Sequence, residues 1–142
     1  MTYKHILVPV DVSEDRSWEK AFRSTEKLVA TFSAQVSVMT VIPDLRTGAM
    51  AQFFPADFEE SATAEETKEL KSIVEKELTI KDVGVRVSFG TIYSEILDTA
   101  EELGCDLIVM ASHRPGLEQF LLGPNAAKVV RHARCSVFVV RD

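Results

Sequence analysis

This chain has few of the residues that would suit it to an oxidising compartment, a membrane or a polyanion. Cysteine occurs only twice in 142 residues, at Cys105 and Cys135, each just before a run that reads as a buried strand. That spacing makes neither a disulfide framework nor a metal cluster. The plain reading is two small apolar side chains kept reduced in the cytosol, with a disulfide or a reactive thiol as the alternative. Basic residues are outnumbered, 16 against 22 acidic, for a formal net charge of −6. Nucleic acid or an anionic bilayer needs a basic face to displace counterions, so neither is an expected partner. No apolar run approaches the roughly 18 residues of a membrane span, so no membrane insertion is expected. The opening Met1-Thr2-Tyr3-Lys4-His5 also lacks a signal-peptide layout, and the expected location is cytoplasmic.

What is present is an ordinary globular balance of 46% hydrophobic and 27% charged residues, enough for one domain spanning 1–142 with a real core. His5 to Val10 is almost continuously apolar, the pattern of a strand covered on both faces, and Pro9 should end its ladder. Steps of three and four from Trp18 to Phe32 mark a one-faced helix, with Ser13 as the expected N-cap and Glu14 and Asp15 in its first turn. Gln35 to Ile42 is a second strand, closed by Pro43. An irregular excursion over about 43–61 follows, carrying Phe53, Phe54 and Phe58. Thr63 to Glu66 fits a capping box, with the next helix's inner face at Leu70, Ile73, Val74 and Leu78. Val83 to Phe89 alternates as a third strand. A helical stripe from Ile92 to Leu103 stops at Gly104. Asp106 to Met110 is the fourth strand, Ala126 to Ala133 lies on a short helix, and Ser136 to Val140 is the fifth strand. That alternation calls for an open parallel α/β sheet with right-handed crossovers and helices on both faces.

In such sheets ligands sit at the carboxyl ends of the strands, where the winding reverses. Three strand ends converge there: Pro9-Val10-Asp11, Thr40-Val41-Ile42, and Met110-Ala111-Ser112-His113-Arg114. Asp11 is an acceptor for ribose hydroxyls or, alternatively, the head of an Asx turn. Val41 presents main-chain polar groups and an apolar edge to a base, unless it is a plain strand residue. Arg114 offers a fork of donors to phosphate. His113 has no nucleophile paired with it by any recognisable motif, which leaves no catalytic residue to name. Gly123-Pro124-Asn125 opens the last helix, where proline costs least and the amides of Asn125 and Ala126 would form an anion seat near Lys128.

The runs HILVPVDVS, VSVMTVIP, CDLIVMASH and LLGPNAAKVVRHARCSVFVV together resemble the universal stress protein family across the whole chain. The loop ASHRP, from Ala111 to Pro115, is similar to one branch of it. The resemblance implies a five-stranded sheet of order 3-2-1-4-5, like the adenine nucleotide alpha hydrolase fold. It also implies a homodimer that binds ATP or another adenine nucleotide, with Mg accompanying ATP, in stress response or regulation of a protein partner. Catalysis would amount at most to weak ATP hydrolysis. The family's phosphate motif is glycine, two residues, glycine, nine residues, then glycine with a hydroxyl residue. Here Ala111 and Arg114 replace the first two glycines, eight residues precede Gly123, and Pro124 replaces the hydroxyl. Losing a hydroxyl and an amide costs on the order of 3–6 kcal/mol of phosphate affinity, with Arg114, Asn125 and Lys128 as candidate compensators. The alternative is a nucleotide-independent interaction protein that docks a partner on the aromatic excursion. A phosphoacceptor receiver is excluded, because strand three ends in Phe89-Gly90 without an acceptor aspartate. Self-association is expected through the last strand, Val137 to Val140, whose apolar edge needs cover.

Overall fold

A computed structural model of the chain describes residues 2–13, 18–112 and 122–141. Five strands, β1 (His5–Pro9), β2 (Gln35–Pro43), β3 (Gly84–Gly90), β4 (Leu107–Ala111) and β5 (Ser136–Val140), form one parallel sheet of order β3-β2-β1-β4-β5. The helices are α1 (Glu19–Phe32), α2 (Phe58–Glu77), α3 (Ile92–Leu103) and α4 (Leu122–His132). Alternate strand residues feed two cores, as the two-residue period requires. Ile6, Val8, Leu107 and Val109 meet Ala21, Phe22, Leu70 and Val74 of α1 and α2. Leu7, Met39, Ile108 and Met110 meet Ile96, Ala100, Ala126 and Val129 of α3 and α4. The sheet is therefore covered on both faces, and the expected fold class is the observed one.

The strands fall within a residue of their expected bounds, and Pro9 does close β1. Gly104 ends α3 in the left-handed conformation at φ 69°, where a side chain would be strained.

The starts of α1 and α2 differ from expectation. Ser13 is not the cap of α1, which begins at Glu19 with Trp18 at its N-cap position. Ser13 instead gives both its N–H (3.1 Å) and its hydroxyl (2.6 Å) to Asp11 Oδ1, a local turn that competes with capping; Glu14 and Asp15 lie outside the described residues. Helix α2 starts at Phe58, five residues before Thr63. Thr63 and Glu66 imitate a capping box inside it, where the Thr67 hydroxyl donates to the Thr63 carbonyl at 2.6 Å.

The stretch between β2 and α2 holds a 3₁₀ helix, Gly48–Phe53. Its anchor is Arg46, which donates to Asp44 (3.0 Å) and to Glu59 on α2 (2.7 Å). The Arg46 guanidinium also lies 4.7 Å from the Phe89 ring centre. Phe58 packs edge-on against Phe89, and Phe54 on Phe58. Leu45, Met50 and Phe53 are left exposed.

At the opposite end of the sheet from these loops, the Asp106 carboxylate accepts the main-chain N–H groups of Lys4 and His5 at 2.9–3.1 Å. It joins the start of β4 to the start of β1.

Candidate functional site

Pro9, Val10, Asp11 and Val41, four of the residues singled out above, line one crevice together with Thr40, Ile92 and Ile96. It lies at the carboxyl ends of β1 and β2, beneath the first turns of α3, and β1 is the strand from which the winding runs both ways. The register explains why Val41 is turned to it. The β1 ladder reaches only Met39, whose carbonyl accepts Val10 N–H at 2.8 Å, while the β3 ladder continues to Pro43. Main-chain groups of a strand alternate sides, so Val41, two residues past Met39, aims its N–H and C=O into the gap that β1 leaves. The last bond of that ladder is the one from Val10; Pro9, one residue earlier, faces β4 by the same alternation. The crevice is narrow, with a volume of about 10 Å³, room for about one water.

Asp11 stands at the rim. Its Oδ1 takes the two donors of Ser13, and a carboxylate has further lone-pair positions for hydroxyl donors. It is also close enough to Glu66 of α2 to matter. Burial first, then the charges of Glu69, Asp11 and Glu65, push the Glu66 carboxyl above its usual range. This rim is acidic, which suits neutral hydroxyl donors better than a polyphosphate.

The other side of the site is built from β4 and α4. Met110 is fully buried in the α3–α4 core, and Ala111 and Ser112 are half-buried. The Ser112 N–H donates to the Val140 carbonyl at 2.8 Å, so it extends the β4–β5 pairing. His113 and Arg114 lie outside the described residues. Helix α4 begins at Leu122, so Pro124 is its third residue rather than its first. Proline is tolerated throughout a first turn, whose amides have no intrahelical partner to lose. The leading amides are thus those of Leu122 and Gly123, not those of Asn125 and Ala126 as expected.

Asn125 has a task that the sequence did not disclose. Thr91, the N-cap residue of α3, makes no side-chain cap. The Tyr93 N–H in that first turn donates instead to Asn125 Oδ1 at 3.1 Å. An asparagine of one helix caps another. Lys128 joins the same contact, its Nζ 5.0 Å above the Tyr93 ring, and His132 lies 6.2 Å from that ring between centroids. Nothing in the local pattern around Thr91 or Asn125 signals a partner 32 residues away.

Residues 2–141 match the family described as the Universal stress protein family. The chain belongs to that family. It is 37% identical to universal stress protein G of Shigella flexneri over 98% of this chain and 99% of that protein. Among solved structures, universal stress protein UspA from Lactobacillus plantarum shares the fold at a TM-score of 0.74 and 24% identity, covering 99% of both chains. Two others share it at 21% identity. One is a universal stress protein in complex with cAMP, at a TM-score of 0.62 and covering 99% of this chain and 98% of that one. The second is a universal stress protein from Archaeoglobus fulgidus in complex with dAMP, at 0.55 and covering 99% of both. In this universal stress protein no described helix is long and apolar enough to cross a membrane. Among the described residues there is also no group of three or more His, Cys, Asp and Glu side chains fit to hold a metal ion.

Proposed function

We propose that the chain binds an adenine nucleotide in the crevice between β1, β2 and α3, and acts as a homodimeric regulatory protein of the cytoplasm. The observation that carries this reading is the convergence of Asp11 and the Val41 main chain on one apolar slot at the winding reversal of the sheet. Val41 supplies a donor and an acceptor to the edge of a base, Val10, Ile92 and Ile96 grip its faces, and Asp11 accepts ribose hydroxyls. The nucleotide complexes of two related structures are consistent with this choice of ligand. Pro124 and the acidic rim favour AMP-like ligands over ATP, whose Mg would have to come with the phosphates. Titration calorimetry with AMP, ATP and ATP with Mg tests the reading. Binding with AMP at least as tight as ATP is expected, and no heat at millimolar ligand in ordinary salt would overturn it.

The homodimer rests on β5, which among the described residues pairs with β4 alone and leaves Phe138, on the sheet face it shares with Val109, 42% exposed. Antiparallel pairing with a second copy would cover that edge. Light scattering at micromolar concentration should give twice the chain mass, and a monomer would refute the pairing.

A second reading, docking of a regulatory partner without nucleotide, is favoured by one observation. The Arg46-anchored excursion holds Leu45, Met50 and Phe53 out to solvent, an apolar cluster that a stable fold has no reason to keep. Replacing the three with serine should abolish partner capture and leave the melting temperature unchanged. Partners that change with nucleotide would count against this reading.

A further inference from the structure

The only two cysteines of the chain stand side by side at the amino ends of adjacent strands, far from the nucleotide crevice. Cys105 precedes β4 and Cys135 precedes β5, and both are free thiols. The ladder begins at Leu107 and Ser136, so the two cysteines lie just outside it, Cys105 two residues before β4 and Cys135 one residue before β5. They are near enough for the charge on Cys135 to act on the Cys105 thiol. Both side chains belong to the α3–α4 core, so they are on the same side of the sheet. Both also line one cavity of about 460 Å³, between the carboxyl ends of α3 and α4. Cys105 is buried and Cys135 half-exposed.

We propose that Cys105 and Cys135 are a dithiol modification site, which a hydroperoxide entering this cavity oxidises to an intramolecular disulfide joining the feet of β4 and β5. Exposure sets the order of events. The Cys135 thiol loses its proton and its sulfur attacks one peroxide oxygen; the O–O bond breaks, a sulfenic acid forms, and the leaving hydroxide takes a proton to become water. Cys105 then loses its proton and attacks the Cys135 sulfur, forming the S–S bond and expelling the sulfenic oxygen as a second water. Two electrons pass from the sulfurs to one hydrogen peroxide, and two thiols become one disulfide.

The surroundings make this site slow. Burial first, then the Cys135 and Asp106 charges, push the Cys105 thiol up to about 11, and burial raises Cys135 as well. Asp98 and Glu101 from α3 add negative charge at the cavity wall, opposed by Arg134 just after α4, which is paired with Glu101 at 3.3 Å.

The test uses the reduced full-length protein and hydrogen peroxide at pH 7, 8 and 9, read by intact mass and by thiol titration in denaturant. Loss of two hydrogens and of both thiols, within one chain, is expected. The rate should rise about tenfold per pH unit, since thiolate is the nucleophile. Closing a loop of about thirty residues should raise Tm by up to roughly 10 °C, reversed by a dithiol reductant. C105S should divert Cys135 to sulfinic acid, and C135S should leave Cys105 unmodified. Two thiols persisting in the denatured, oxidised protein would overturn the proposal. So would cross-links found only between chains, or a rate indifferent to pH. The wild-type series decides the matter even if neither variant folds.

Discussion

Asp11 can be tested in a way that separates its two candidate roles. In the structure its Oδ1 heads a turn through Ser13, and the proposed function has the same carboxylate accept ribose hydroxyls. Asp11→Asn keeps an Oδ1 for the Ser13 donors but removes the charge. A hydrogen bond to a charged acceptor is worth about 1.5–3 kcal/mol and a neutral one about 0.5–1.5. Converting two ribose contacts, at a half-exposed position, should therefore cost about 1–2 kcal/mol, or roughly 5–30-fold in Kd. Stability should stay within about 0.5 kcal/mol of wild type, because the turn survives. Asp11→Ala loses the turn as well and should drop stability by about 1 kcal/mol. Calorimetric titrations of wild type, D11N and D11A with AMP and with dAMP form a cycle. The 2′-hydroxyl should matter to wild type and lose its value in D11A. If D11N binds AMP as tightly as wild type, Asp11 serves the turn alone and its assignment to ribose is wrong.

Other expectations follow from the same contacts. Phe22→Ala empties a fully buried site between α1 and the sheet and should cost about 3–5 kcal/mol in urea unfolding; less than 1 kcal/mol would mean that the two-core description is wrong. Asn125→Ala leaves the Tyr93 N–H without its acceptor and should cost about 1–2 kcal/mol, with amide exchange speeding up in the first turn of α3 and not elsewhere. For Asp106, burial pushes the carboxyl up, but the N–H groups of His5, Lys4 and Asp106 itself outweigh it and hold it below the usual range. A depressed folded value adds stability above the unfolded value near pH 4, lost as pH falls through the folded one. Asp106→Asn should therefore be less stable by about 1 kcal/mol at pH 7, after allowance for solvent screening. The gap from wild type should close below about pH 4, and a gap constant to pH 2 would contradict this account.

Much of the fold was legible because its signals are local and agree with one another. The strands are β-branched runs, and Gly104 is a stop that needs no tertiary help. The crevice was legible for the same reason, since strand ends in a parallel sheet must converge and Pro9 says where one of them stops. What sequence reading misplaced were features decided by a competitor elsewhere in the chain. Ser13 looked like a cap until Asp11 claimed both its donors. Thr63 and Glu66 matched a helix start inside a helix already begun at Phe58, whose ring is held by Phe89 from another strand. The bond from the Tyr93 N–H to the Asn125 side chain gave no local sign at all, since its two ends lie on different helices.

The narrowness of the crevice bears on what nucleotide binding would report. If a base enters only when the slot widens, the apparent affinity is the intrinsic one multiplied by the fraction of time spent open. If that fraction were about 1%, binding would be about a hundredfold weaker than the contacts alone provide. Ile92 and Ile96 lie on α3, and Asn125 joins the first turn of α3 to α4, so widening the slot puts load on that joint. A second copy or a docked protein that held α3 away from the ends of β1 and β2 would then raise nucleotide affinity without touching the ligand. By the same linkage, nucleotide would tighten the grip of that partner.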